Sequence, residues 1–234
     1  MPSLSLVVPA FNEEAALEPT VRRCIDVIQK CTDDYELIIL DDCSADKTAE
    51  VAERLSRENP AHIKTLRHPV NMGIAATFED LYKAANKDYV FLIPADGEYP
   101  PEALREAWPM LKDCDIVVCQ RRQKNYTPYR HLVSGAYRWM TVLLFGEDLF
   151  DPGSTKVVKR EIFTGIPVTS KSVYVEAERI IRALKRGYRI GKVEIIQETR
   201  KGGQARGARF RTVKLAALDM LRLWIELTLL RKKA

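Results

Sequence analysis

Short runs rich in β-branched and aromatic residues alternate with longer segments of helical period, and this alternation constrains the chain more than any single motif. Runs at Leu4–Val8, Tyr35–Leu40, Ile63–Arg67, Tyr89–Ile93 and Asp115–Cys119 are near-continuously apolar, as strands covered on both faces are. Between them lie segments of helical period. The first carries Leu17, Val21, Cys24, Ile25 and Ile28 on one face, with Pro19 tolerable only in its first turn. Others span about Asp46–Arg57, Ile74–Ala85 and Pro101–Leu111. Such repetition predicts an α/β domain with a mostly parallel sheet over about the first 120 residues. Sheets of that kind bind ligands at the carboxyl ends of their strands. After Cys119 the rhythm changes to a basic, aromatic stretch, a helix at about Val173–Arg186, a strand at Tyr188–Ile196, and a last helix from about Thr212 to Leu230.

The residues following four successive strands are therefore the first place to look for chemistry. They read Pro9-Ala10-Phe11-Asn12-Glu13-Glu14, then Asp41-Asp42-Cys43-Ser44-Ala45-Asp46, then Asn71-Met72-Gly73, then Pro94-Ala95-Asp96-Gly97-Glu98-Tyr99. Asp, Asn, Gly and Pro are ordinary turn and cap residues, and Asp46 reads most simply as the cap of the second helix. Four such loops along one sheet edge converge on a polar site. Neither a dinucleotide-binding G-x-G-x-x-G nor a P-loop is present, so a diphosphate on this acidic edge needs a cation bridge. Asp96 and Glu98 are hard oxygen donors suited to Mg²⁺ or Mn²⁺.

Charge and cysteines exclude other classes. The net charge of +5 over 234 residues is mild, and it is uneven. Residues Arg200 to Ala234 hold ten basic and two acidic side chains, which leaves a slightly acidic body. This pattern does not describe a nucleic-acid binder. The five cysteines are odd in number and lack C-x-x-C spacing, so neither a zinc site nor a disulfide framework is expected. No basic leader precedes the first strand, no apolar stretch reaches about 20 residues, and Trp139 to Gly146 reads as core. A cytoplasmic location is expected.

These loops carry a family resemblance. Val7-Val8-Pro9-Ala10-Phe11-Asn12-Glu13-Glu14 is similar to the V-P-x-Y/F-N-E-E opening of inverting family 2 glycosyltransferases with the GT-A, or nucleotide-diphospho-sugar transferase, fold. Leu40 to Thr48 resembles their D-D-x-S-x-D-x-T segment and Asn71-Met72-Gly73 their N-x-G. Among them the chain most resembles the dolichyl- or polyprenyl-phosphate sugar synthases, such as mannose synthases. The resemblance implies that Pro9, Ala10, Phe11, Asn12, Glu13, Asp41, Asp42, Asn71, Gly73 and Ala95 hold a nucleotide, and that Asp96 and Glu98 hold the metal. The metal motif departs from the family's D-A-D-x-Q: Pro94 replaces the first acid and Glu98 stands where Gln is common.

Later residues point to the acceptor. Arg121 and Arg122 are expected just after the fifth strand, with Arg130 and Ser134 beyond. Arg200-Lys201-Gly202-Gly203-Gln204-Ala205-Arg206 is similar in spacing to the synthases' R-R-x-G-E-S-K. The resemblance implies that Arg121, Arg122, Arg130, Ser134, Arg200 and Arg206 grip an acceptor phosphate, as guanidinium groups do bidentately. A solvated basic face is the bland alternative. A phosphate monoester needs no general base, whereas a hydroxyl acceptor does; Asp151, Glu176 and Glu178 are the candidates then. His62 and His68 read as structural, and His131 as at most an aid at the phosphate.

The resemblance thus implies a GT-A catalytic domain over 1–209, with a nucleotide-binding half (1–119) and an acceptor half (120–209), followed by an amphipathic helix at 210–234. That helix is apolar at 13 of 19 positions from Val213 to Arg231. It suits an anionic membrane surface at the inner face, a membrane-anchored partner, a homodimer interface or simple core packing. The expected activity is metal-dependent hexosyl transfer from GDP-mannose or a UDP-sugar to a polyprenyl or dolichyl phosphate, with inversion. Transfer to a glycan hydroxyl and a non-catalytic nucleotide-sugar-binding module are the alternatives.

Overall fold

The computed structural model describes residues 2–123, 128–170, 172–199 and 210–229; for Arg130 and residues 210–212 only the backbone is described. Seven strands form one sheet in the order β3-β2-β1-β4-β6-β5-β7. They are β1 (Leu4–Ala10), β2 (Tyr35–Asp41), β3 (Ile63–Arg67), β4 (Tyr89–Leu92), β5 (Ile116–Gln123), β6 (Lys156–Lys159) and β7 (Ile190–Ile196). All run parallel except β6, which is antiparallel to β4 and β5. This is the mostly parallel α/β sheet of the GT-A fold.

Alternate side chains of β1 enter two cores. Leu4, Leu6 and Val8 pack with α1 (Leu17–Ile28), α2 (Thr48–Glu58) and α4 (Ala103–Met110). Val7 faces the opposite core, with α3 (Ile74–Ala84), α6 (Arg160–Gly165), α7 (Val175–Lys185) and α8 (Phe210–Trp224). Burial on both faces explains why the strands lack polar alternation. The chain winds outward from β1 to β3 and then returns to β4 on the other side of β1. That reversal opens a crevice at the carboxyl ends of β1 and β4, where such sheets take ligands.

Two expectations are corrected. Trp139 to Gly146 is core on one side only: Phe145 is buried and Leu144 packs against the core, while Trp139 and Leu143, also in α5 (Pro128–Phe145), are 66% and 64% exposed. α5 packs beside α8 instead of lying flat on the sheet. β5 also runs past Cys119 to Gln123, so Arg121 and Arg122 belong to the strand.

The last helix has an unexpected polarity. Asp219 accepts from Ser172 N and Oγ at 3.2 and 2.6 Å, and buried Glu226 accepts from Arg182 at 3.0 Å. Glu226 sits in a π-helical turn, Ile225–Leu229, that continues α8. The acids face the body, while Leu215, Leu218 and Leu221 face outward with Lys214 and Arg222. No helix among the described residues is long and apolar enough to cross a membrane.

Candidate active site

The four loops at the crevice each pass through the left-handed region once: Asn12 (φ 55°), Cys43 (φ 60°), Gly73 (φ 81°) and Gly97 (φ 72°). Such a conformation is strained for non-glycine residues and persists when neighbours over-determine it. Here they do. Asn12 N donates to Ser44 Oγ at 2.9 Å, and Asn12 Oδ1 accepts from Ala45 N at 2.9 Å. Glu13 N donates to Thr48 Oγ1 at 2.8 Å, and Lys47 N donates to Glu14 Oε2 at 2.9 Å. The first two loops are thereby knitted into one unit.

Asp41 and Asp42 hold this edge from beneath. Buried Asp41 accepts from Ser44 N and Oγ and pairs with Arg67. Asp42 accepts from Met72 N at 2.8 Å, Gly73 N at 2.9 Å and His68 Nδ1 at 2.7 Å. Asn71 Nδ2 adds a bond to the Asp42 carbonyl at 3.1 Å. His68 is thus structural, and so is His62, stacked on Tyr35 with ring centroids 4.3 Å apart. Pro9 and Ala10 contribute backbone carbonyls that accept from Ala95 N and Asp42 N. Phe11 is half-buried at the crevice rim. The structure brings all ten expected nucleotide residues to one edge.

Asp96 and Glu98 follow β4 on the same edge. Asp96 is 9% exposed and accepts from Glu98 N at 3.0 Å. The Glu98 carboxylate accepts from Gln197 Nε2 at 2.5 Å. Pro94 is half-buried before them. Among the described residues no group of three or more His, Cys, Asp or Glu forms an all-protein metal cage. Two carboxylates nonetheless fit a Mg²⁺ or Mn²⁺ ion that completes its shell with substrate phosphates and water. Gln197 belongs to no motif and was not foreseen.

The region where an acceptor is expected begins at the tip of β5. Its register against β7 shifts between Arg121 and Gln123, and such a bulge re-aims side chains. Arg121 turns inward: its Nε and Nη2 donate to Asp151 at 2.7 and 3.0 Å, with both side chains 6% exposed. Its guanidinium lies 5.8 Å from the centre of the Tyr99 ring. Arg122 is exposed. Both line a cavity of about 1020 Å³, with Ser134, His131, Leu149, Phe150, Val173 and Met220 among its walls. Arg130 lies in the first turn of α5, and Arg200 and Arg206 lie outside the described residues.

Glu176 and Glu178 are not placed to serve as bases, which corrects that expectation. Glu176 accepts from Lys156 Nζ at 2.7 Å and Tyr82 Oη at 3.0 Å, all three buried. Glu178, with 0% exposure, accepts from Thr169 N, Ser170 N and Arg182 Nε at 2.8–3.0 Å. Burial alone would raise its pKa, but the bonds from Ser170 and Arg182 hold it below the usual value. Asp151 is likewise engaged by a buried cation, Arg121.

A model described as glycosyl transferase family 2 matches residues 5–166. The chain is 28% identical over 188 residues to dolichol-phosphate mannosyltransferase of Pyrococcus furiosus, covering 76% of this chain and 52% of that protein. It is 27% identical to undecaprenyl-phosphate 4-deoxy-4-formamido-L-arabinose transferase of Photorhabdus laumondii, covering 64% of this chain and 46% of the other. The chain thus spans about half the length of these curated relatives. In fold it is similar to glucosyl-3-phosphoglycerate synthase of Mycobacterium tuberculosis, solved with Mn²⁺, UDP and phosphoglyceric acid. The TM-score is 0.73 at 20% identity, covering 95% of this chain and 78% of that one.

Proposed function

The chain belongs to glycosyl transferase family 2, and from that membership we propose that it moves a sugar from a nucleoside-diphosphate sugar to a polyprenyl phosphate, inverting the anomeric carbon. The observation that carries the acceptor class is the cavity between β5, α5 and α8, which has a guanidinium at its rim and apolar walls. A phosphate with a long apolar tail suits the arginines and the apolar part of that lining. Relatives named for dolichol phosphate and undecaprenyl phosphate support the same class.

In this reading the knitted edge of Asn12, Asp41, Asp42 and Gly73 presents a set surface to the nucleotide. Asp96 and Glu98 would hold a divalent ion that offsets charge growing on the leaving diphosphate; neighbours of the fold solved with Mn²⁺ or Mg²⁺ and UDP agree with this. Arg122 grips the acceptor phosphate, with Ser134 and His131 beside it. Arg121, already neutralised by Asp151, anchors the strand tip that presents Arg122. The acceptor oxygen is anionic near neutral pH, so it attacks without a general base. The outward leucines of α5 and α8 meet the lipid phase peripherally.

The test incubates the chain with labelled GDP-mannose or UDP-sugars, Mn²⁺ and polyprenyl phosphate in detergent. Label should enter the organic phase only with the lipid phosphate. Arg122→Ala should lower turnover about 10–100-fold, the loss of one charge-assisted contact. Transfer to a glycan hydroxyl alone, or nucleotide binding without turnover, would overturn the proposal.

A further inference from the structure

β7 ends at Ile196, and the next two residues fold back onto the loop that carries Asp96 and Glu98. Gln197 Nε2 donates to Glu98 Oε2 at 2.5 Å. Glu198 N donates to the Glu98 carbonyl at 2.9 Å. Glu98 N donates in turn to Asp96 Oδ1 at 3.0 Å. The Glu198 carboxylate is gripped by Arg23 at 2.7 and 2.9 Å. Arg23 also holds Glu102, at the start of α4, at 2.7 and 2.8 Å. The metal loop is therefore braced by a segment 99 residues away in the chain.

The chemistry of the brace is specific. Gln197 is half-buried, and its Oε1 is sealed from solvent with no hydrogen-bond partner among the described residues. Leaving a buried acceptor unsatisfied is costly, so such groups call for an explanation. The explanation lies at the other end of the amide. Glu98 stands two residues from Asp96, and carboxylates that share a site repel until a cation joins them. Lys or Arg at position 197 would orient Glu98 but would also neutralise it, in competition with a metal ion. An amide N–H orients the carboxylate and leaves its charge intact.

We infer that Gln197 is a positioning residue for Glu98 as a divalent-metal ligand. The inference rests on the reading that Asp96 and Glu98 hold the ion. Residues that orient metal ligands from behind typically contribute about 10–100-fold in metal affinity. The brace thus fixes a ligand at which this chain departs from the D-A-D-x-Q pattern.

The test measures Mn²⁺ affinity of the whole chain from the electron paramagnetic resonance signal of free Mn²⁺, at saturating UDP or GDP. Gln197→Ala should weaken Mn²⁺ about 10–100-fold, while nucleotide affinity without metal stays within about twofold. Gln197→Met keeps the volume and removes the donor, so it should show the same loss in a folded chain. In a Glu98→Gln background, Gln197→Ala should add little. Unchanged Mn²⁺ affinity in Gln197→Met, or an equal loss in the Glu98→Gln background, overturns the positioning role. Asp96→Ala separates the two levels. If it abolishes Mn²⁺ binding while Gln197→Met leaves Mn²⁺ affinity unchanged, only the role of Gln197 falls. If Asp96→Ala leaves Mn²⁺ binding intact, the metal assignment falls and takes the brace with it.

Discussion

The two sides of the site are built by opposite means. The nucleotide edge is polar and closed: the loops after β1 and β2 exchange backbone and side-chain bonds, and Asp42 clamps the loop after β3. The side proposed for the acceptor is open and more apolar, a cavity walled by α5, α8 and residues 149–153. Among its described lining residues, the Arg121–Asp151 pair is a deeply buried polar fixture, each side chain 6% exposed. A charged, rigid ligand calls for donors and acceptors set in advance. A flexible apolar chain calls only for surface to cover, with one grip at its polar end. The difference in construction is the one that the proposed pair of substrates, a nucleotide and a lipid phosphate, would call for.

If this side depends on its buried ion pair, removing half of it should cause the largest change. Asp151→Ala leaves the Arg121 guanidinium buried without its carboxylate and should cost about 3–5 kcal/mol, read from urea denaturation. Replacing both residues by apolar ones of similar volume, as in Arg121→Met with Asp151→Leu, should recover most of that loss. A cost below about 1 kcal/mol for Asp151→Ala would mean that the pair behaves as an exposed one, and the contrast between the two sides would collapse.

The nucleotide edge should answer more gently, because its bonds are many and shared. Asp42→Ala removes the acceptor for Met72 N, Gly73 N and His68 Nδ1. The expected cost is about 1–3 kcal/mol of stability, together with weaker UDP or GDP binding by calorimetric titration. Asp42→Asn, which keeps one acceptor oxygen, should fall between. Intact nucleotide affinity in Asp42→Ala would show that the edge is not set in advance by this clamp.

What could be read from the chain follows the same division. The strand ends were legible because their polar residues lie in local motifs, and the strands because burial on both faces leaves unbroken apolar runs. The acceptor side depends on contacts between distant segments, which spacing does not encode. β6 is only Lys156–Lys159, too short for a periodic signal. Arg121 and Arg122 are adjacent and chemically identical, and only the bulge decides which turns inward. Trp139 and Leu143 look like core because composition does not say which side of a helix meets a neighbour. Glu176 and Glu178 look reactive until Lys156, Tyr82 and Arg182 arrive from elsewhere in the fold. Gln197 has no motif at all.

The smallest effect tests whether charge or hydrogen bonding holds the nucleotide edge. Asp46 accepts from Thr48 N and Oγ1 at 3.0 and 2.5 Å and from Glu14 N at 3.2 Å. Burial alone would raise its pKa, yet the bonds from Thr48 and Glu14 prevail and hold it below the ordinary aspartate value. A carboxyl depressed in the folded state lends stability that is full above its unfolded pKa and lost as pH falls through the folded one. Asp46→Asn keeps an acceptor but removes the charge beside the N-terminus of α2, so it should cost about 0.5–1 kcal/mol at pH 7. The difference from the parent should shrink below about pH 4, followed by thermal denaturation across pH. A cost that stays constant down to acid would show that hydrogen-bond geometry alone, with no help from the charge, joins the first two loops.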